Sequence, residues 1–177
     1  ASQGVNGLAW GDADGDGDLD LAVATTGEGL QLCTNEAAVL SCVNVPIPGV
    51  DVSASVYAAQ WGDIDGDEDL DLAVAVLGDG AFVLQNPGSG ALVSLWQPGS
   101  AGSLTRNIEW GDWDADGDLD LAVVHLDTNG TFVFENLGTT LDTTPAWTGG
   151  GSGSGQDLEG CGSETEQPLH ATSWTSA

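Results

Sequence analysis

Residues 10–23 read Trp10-Gly-Asp-Ala-Asp-Gly-Asp-Gly-Asp-Leu-Asp-Leu-Ala-Val23. The same phrase returns as Trp61-Gly-Asp-Ile-Asp-Gly-Asp-Glu-Asp-Leu-Asp-Leu-Ala-Val74, and again as Trp110-Gly-Asp-Trp-Asp-Ala-Asp-Gly-Asp-Leu-Asp-Leu-Ala-Val123. The copies begin 51 and 49 residues apart. Self-similarity at such a period is the signature of propellers and solenoids, in which one small unit is stacked repeatedly.

Each repeat divides into four short strands. The first leads into Trp-Gly-Asp, as at Val5 to Trp10 and Asn107 to Trp110. The second leaves the Asp-rich loop: Leu19 to Ala24, Leu70 to Val76, Leu119 to His125. A tight turn follows, at Gly27-Glu-Gly, Gly78-Asp-Gly or Asn129-Gly130; the last is a strong hairpin signal, preferred to its reading as a glycosylation sequon with Thr131. The third strand spans Leu30 to Thr34, Ala81 to Gln85 and Thr131 to Glu135, and the fourth Leu40 to Val45, Ala91 to Gln97 and Thr144 to Trp147. The second strands are apolar on both faces, Leu and Val on one and mostly Ala on the other. Strands of that kind are covered on both sides. Stacked sheets satisfy them if the Leu/Val face of one packs on the Ala face of the next. The fold expected is all-β and propeller-like, with three four-stranded blades at about 1–50, 51–100 and 101–148.

Within each loop Asp recurs at relative positions 1, 3, 5 and 9: Asp12, Asp14, Asp16 and Asp20; Asp63, Asp65, Asp67 and Asp71; Asp112, Asp114, Asp116 and Asp120. Calcium takes six to eight hard oxygen ligands in a flexible shell. Alternating carboxylates around a tight turn can converge on one point, with a carbonyl near position 7 (Asp18, Asp69, Asp118) and water completing the shell. Magnesium fits less well because it keeps more of its own water. Zinc would call for Cys or His, and the loops hold neither. A solvated Asp-rich turn without metal is the competing reading. Repulsion among so many close carboxylates weighs against it. The expectation is about three calcium ions per chain.

The opening of each loop is like an EF-hand, but position 12, where an EF-hand has Glu, holds Val23, Val74 and Val123. The phrase Asp-x-Asp-x-Asp-Gly-x-x-Asp followed by Leu-Ala-Val instead resembles the FG-GAP/VCBS repeat family, the calcium-loop blades of integrin-α-type β-propellers. The resemblance covers about residues 4–148. It implies four-stranded blades, calcium held between the first two strands, and a ligand role for the twelve Asp. One departure stands out: position 6 is Gly17 and Gly117 in two loops but Glu68 in the other. Gly66 can relax that turn, yet loop two is left room to bind differently.

Charge narrows the function. The chain of 177 residues has 28 acidic residues against one base, Arg106, a formal charge of −27. Sixteen of the 28 acids fall in windows 12–20, 63–71 and 112–120. Such a surface repels nucleic acid and anionic lipid and attracts cations. Part of the charge also serves solubility. No run approaches the roughly 18 apolar residues of a membrane span. Paired carboxylates could suggest a glycosidase, but these are committed to metal, and a bound cation opposes the raised pKa an acid needs. His125 and His170 read as packing or surface residues. No enzyme is expected.

Cys33 and Cys42 flank eight residues that could turn a hairpin, so a cross-strand disulfide is geometrically reasonable; small apolar packing is the alternative. Cys161 is odd in number, which suggests an intermolecular bond or a free thiol. The absence of Met points to processing, with loss of a secretory signal peptide before Ala1-Ser2 or a cloned fragment as the two explanations. A secreted, extracellular location is expected.

Trp10, Trp61 and Trp110 are read as blade-packing residues. Trp96, Trp147 and Trp174 fall on outermost strands, where an indole can stack on a sugar or cover a neighbouring subunit. The second reading is preferred. Residues 149–167 begin with a Gly/Ser-rich linker, and 168–177 read as a spare strand that pairs with another subunit. Propellers typically need four to eight blades to close, so three blades imply other copies or a partner, with a fragment of a longer propeller as a third possibility. The expectation is a homo-oligomer or head-to-tail filament: a calcium-stabilised structural or adhesive protein that self-assembles through its terminal strand. The alternative is a calcium-dependent, carbohydrate-binding propeller with glycan partners.

Overall fold

A computed structural model describes residues 4–88, 92–98, 104–126 and 130–149. These form twelve strands and no helix. The first sheet holds β1 (Val5–Gly11), β2 (Asp20–Thr25), β3 (Leu30–Glu36) and β4 (Val39–Val45). The second holds β5 (Val56–Gly62), β6 (Asp71–Val76), β7 (Gly80–Gln85) and β8 (Val93–Trp96). The third holds β9 (Thr105–Gly111), β10 (Asp120–His125), β11 (Thr131–Phe134) and β12 (Trp147–Gly149). Each sheet is an antiparallel meander in chain order, and its first strand lies against the first strand of the next sheet. The three sheets do not close on one another among the described residues. The expected fourth strand of blade three, Thr144 to Trp147, lies instead at Trp147–Gly149. Pro145 has no N–H for a ladder, so pairing starts after it, with the Ala146 amide on the Val133 carbonyl at 2.8 Å.

The core is two layers, one between each pair of neighbouring sheets. In the first, Ala9, Ala22 and Ala24 of sheet one meet Ala59, Leu72, Val74, Phe82 and Leu84 of sheet two. In the second, Ala58, Ala73, Ala75 and Val83 of sheet two meet Ile108, Leu121, Val123, Phe132 and Phe134 of sheet three. The large face of each sheet thus packs on the small Ala face of the one before it, as the two-faced apolar strands require. Sheet two, sandwiched on both sides, has every residue of β6 buried.

Polar contacts repeat at the two joints. The Trp61 indole donates to the Ala9 carbonyl at 3.2 Å, and Trp110 donates to Gln60 at the same distance. Each indole lies over a glycine of the preceding sheet. A Cβ on Gly11 would come within 2.6 Å of Trp61, and one on Gly62 within 2.8 Å of Trp110. Only glycine admits that approach. Trp96, expected to be available to a subunit or sugar, is buried. Its ring meets Phe134 edge-on at 4.9 Å and its N–H donates to the Asp142 carbonyl, so it covers the next blade of its own chain. The one Arg, Arg106, stacks on Tyr57 at 4.0 Å across the second joint.

Cys33 and Cys42 face each other in the β3–β4 ladder and are disulfide-bonded. Cys161, the Gly/Ser linker beyond residue 149, the spare strand at 168–177, Asn129 and Trp174 lie outside the described residues.

Candidate metal centres

The three loops share one internal design, set by their carboxylates. Position 1 folds the turn. Asp12 accepts from the amides of Gly15 and Gly17 at 2.9 and 3.0 Å. Asp63 does so for Gly66, Asp67 and Glu68 at 2.8, 3.2 and 3.1 Å, and Asp112 for Ala115 at 2.7 Å. Position 5 caps the amide two residues on in every loop, as with Asp18 N on Asp16, and position 3 does so in loops one and three, as with Asp16 N on Asp14; in loop two Asp65 instead accepts from Gln85 Nε2 at 2.6 Å. The amide caps are Asx-type turns, which Asp forms readily. Gly15 and Gly66 have positive φ at position 4, and loop three places Ala115 there at φ 66°. At position 6, Gly17 and Gly117 have φ of 93° and 101°, and Glu68 adopts φ 74°. Loop two therefore keeps the backbone path of the others, with Glu68 in a conformation glycine prefers.

Position 9 ties the loop to the sheet. Asp20 accepts from Ala13 N and Asn35 N, both at 2.8 Å. Asp71 accepts from Ile64 N at 3.0 Å and Asn86 N at 2.8 Å, and Asp120 from Trp113 N at 2.7 Å and Asn136 N at 2.8 Å. All three are buried. Burial pushes the Asp71 carboxyl up to about 6 against its two amide hydrogen bonds, with Asp65 and Asp67 adding to the rise. The Asp118 carboxyl is likewise pushed up to about 6, by desolvation and then by Asp116. Asp14 is raised by desolvation and by Asp16 and Asp20.

Carboxylate oxygens of positions 1, 3 and 9 converge within 4.8 Å of one another in every loop: Asp12, Asp14 and Asp20; Asp63, Asp65 and Asp71; Asp112, Asp114 and Asp120. In loop one, Asp14 also groups with Asp16 and Glu36. Asp67 and Asp116 at position 5, and Asp18, Asp69 and Asp118 at position 7, are outside these groups. Asp65 Oδ1 and Asp118 Oδ1 are buried without a hydrogen-bond partner. A buried, unpartnered carboxylate oxygen is costly and fits a cation, and the all-oxygen donor set fits a hard one. A bound divalent ion would supply positive charge where three carboxylates meet.

A residue that the loop pattern does not contain completes the arrangement. Asn35, Asn86 and Asn136 lie at or just past the ends of the third strands, at nearly the repeat period. Each gives its main-chain N–H to the position-9 Asp and its side-chain N–H to the residue before that Asp (Leu19, Leu70, Leu119). Asn86 and Asn136 also reach the previous blade, donating to the carbonyls of Ala13 at 2.7 Å and Ile64 at 2.8 Å. Their spacing was visible in the sequence, but only pairing geometry reveals the role. His125, by contrast, is buried with its Nδ1 at 3.1 Å from Thr105 Oγ1 and its ring edge-on to Phe132.

Residues 63–123, from the second Asp loop into the strand that leaves the third, match the FG-GAP-like repeat family. The chain carries an FG-GAP-like repeat. No curated protein matches the chain. The matched FG-GAP-like stretch contains the second and third Asp loops, each with its converging carboxylates.

Proposed function

We propose that the protein is a calcium-stabilised, extracellular structural or adhesive module that self-assembles, as a closed oligomer or a head-to-tail filament, through its terminal strand. The convergence of three carboxylates in each of three successive loops carries this reading. Calcium, which takes six to eight hard oxygen ligands, is the cation that an all-oxygen cluster with one buried and two more accessible carboxylates suits best. Its role is that of a clamp: the position-9 Asp joins the loop to the third strand, and Asn carries that link to the neighbouring blade. The Cys33–Cys42 disulfide accords with an oxidising compartment, where free calcium is plentiful. Among the described residues no helix is long and apolar enough to cross a membrane. The carboxylates are structural and the module is not an enzyme.

Chelation tests the clamp. Chelator is expected to lower the melting temperature markedly and added calcium to restore it; an unchanged melting curve refutes the metal role. Deletion of residues 156–177 tests the terminal strand, since assembly through it disappears with it. A second reading, calcium-dependent glycan binding, draws on the exposed indoles of Trp10 and Trp113, and a glycan array decides it. The cavity of about 240 Å³ beside Ile47 and Val56 has no aromatic residue in its lining, which weighs against a sugar there.

A further inference from the structure

The two inner joints show what one blade needs from the next. The later blade supplies an indole N–H (Trp61, Trp110), and Asn86 and Asn136 supply side-chain amides. It also supplies an apolar residue on its first strand, Ala59 or Ile108. Leu119 adds to the second joint, lying 3.1 Å from the Cβ position of Gly62. The earlier blade supplies a glycine under the indole, one carbonyl on its first strand, and one carbonyl at position 2 of its Asp loop.

Among the described residues, both outer faces carry the same parts without a partner. On blade one, Trp10 is 57% exposed, Leu8 59% and Leu19 55%, although their counterparts are covered or half-covered. Asn35 holds the place of Asn86 and Asn136, and its side-chain N–H donates to Leu19 of its own blade with no counterpart of the Ala13 and Ile64 carbonyls to reach across to. On blade three, Gly111 has nothing within 4 Å of its Cβ position, whereas Gly11 and Gly62 are capped by indoles. Trp113 is 53% exposed where Ala13 and Ile64 are buried at 5% and 2%.

We infer that the blade-one face of one copy docks on the blade-three face of a second copy, seating Trp10 over Gly111. The indole then donates to the Glu109 carbonyl, and the Asn35 amide reaches the Trp113 carbonyl. The partner is this same chain because the two faces are the halves of a contact it already makes twice. Two copies give six blades, within the four to eight that close a propeller. The contact is heterologous, so it either closes or propagates. The inference rests on the proposal of self-assembly and adds to the terminal strand a second joint, at the blade faces, that holds without it.

Sedimentation of the calcium-loaded 177-residue chain tests it. Two substitutions suit the purpose, Trp10→Ser and Gly111→Val. The Trp10 indole is exposed in the single chain and a Cβ on Gly111 meets nothing, so both variants should keep the parent fold, read as an unchanged circular-dichroism spectrum. The expected result is that the parent sediments above its 17.9 kDa monomer, that either substitution returns it to monomer, and that the chain lacking residues 156–177 still associates. A monomeric parent overturns the inference, as does undiminished association of both variants. If the deletion alone abolishes association while both variants retain it, the terminal-strand reading stands and the face-to-face joint falls. Loss of association in the variants with retention in the deletion has the opposite meaning.

Discussion

Asp71 illustrates what a single residue does in this fold. It is buried, it satisfies two backbone amides, and its carboxyl sits near 6 instead of 3.8. A carboxyl whose folded pKa lies above its unfolded one binds a proton more tightly when folded. The resulting stabilisation is complete below about 3.8 and is lost as pH rises through about 6. Asp118 acts in the same direction. The metal-free chain should therefore melt at a higher temperature at pH 5 than at pH 7. Calcium, which binds the ionised form, should give its largest gain at pH 7. Melting curves at both pH values, with chelator and with calcium, check this; a metal-free chain that is less stable at pH 5 contradicts it. Ala115 offers a second test. It holds φ 66° at a position where the other loops use glycine, a conformation that costs an L-residue about 1 kcal/mol. Ala115→Gly should raise stability by up to about 1 kcal/mol in urea denaturation, less the extra entropy of the unfolded glycine.

At the level of elements, strand order and loop placement were legible in the sequence because period-two patterning and Asp-Gly turns are local signals. The Ala-against-Leu stacking was legible too, since a strand apolar on both faces must be covered twice. Other features depended on distant chain. Trp96 reads as an edge aromatic until blade three arrives to bury it. The fourth strand of blade three moved past Pro145 because pairing demands an N–H. In the loops, the spacing named the acids without saying which oxygens meet. Positions 1, 3 and 9 converge, while position 5 caps the amide of position 7, and that division follows from the turn geometry. The Asn35, Asn86 and Asn136 series escaped because Asn at a strand end is ordinary until its partners are seen. The β3–β4 hairpin carries a test of its own. β4 is exposed along almost its whole length, so little packing holds it, and the Cys33–Cys42 bond closes a loop of nine residues in sequence separation. In the loop-entropy picture that crosslink contributes about 2.5 kcal/mol. Replacing both Cys by Ser should lower stability by roughly this amount while leaving the chelator response of loops two and three intact. Denaturation with and without calcium measures both.

Over the whole molecule, the balance is between one base and 28 acids, held together by two apolar layers. The resemblance found in three copies of the loop and the match over residues 63–123 agree on the repeat family. On the proposed calcium reading, each bound ion would also lower the repulsion between neighbouring blades of so acidic a chain.

The sandwiching of sheet two has a kinetic consequence. Blades that touch only their neighbours behave as a one-dimensional array, which loosens from its ends inward. Blade two is the only described sheet with neighbours on both sides, and residues 72–76 are at 0% exposure. Amide deuteration should therefore run as a gradient along the stack. Protons on β6 should exchange last, near the global unfolding limit, and those on β4 and β12 first. Uniform exchange across the three sheets would mean that the stack opens as one body.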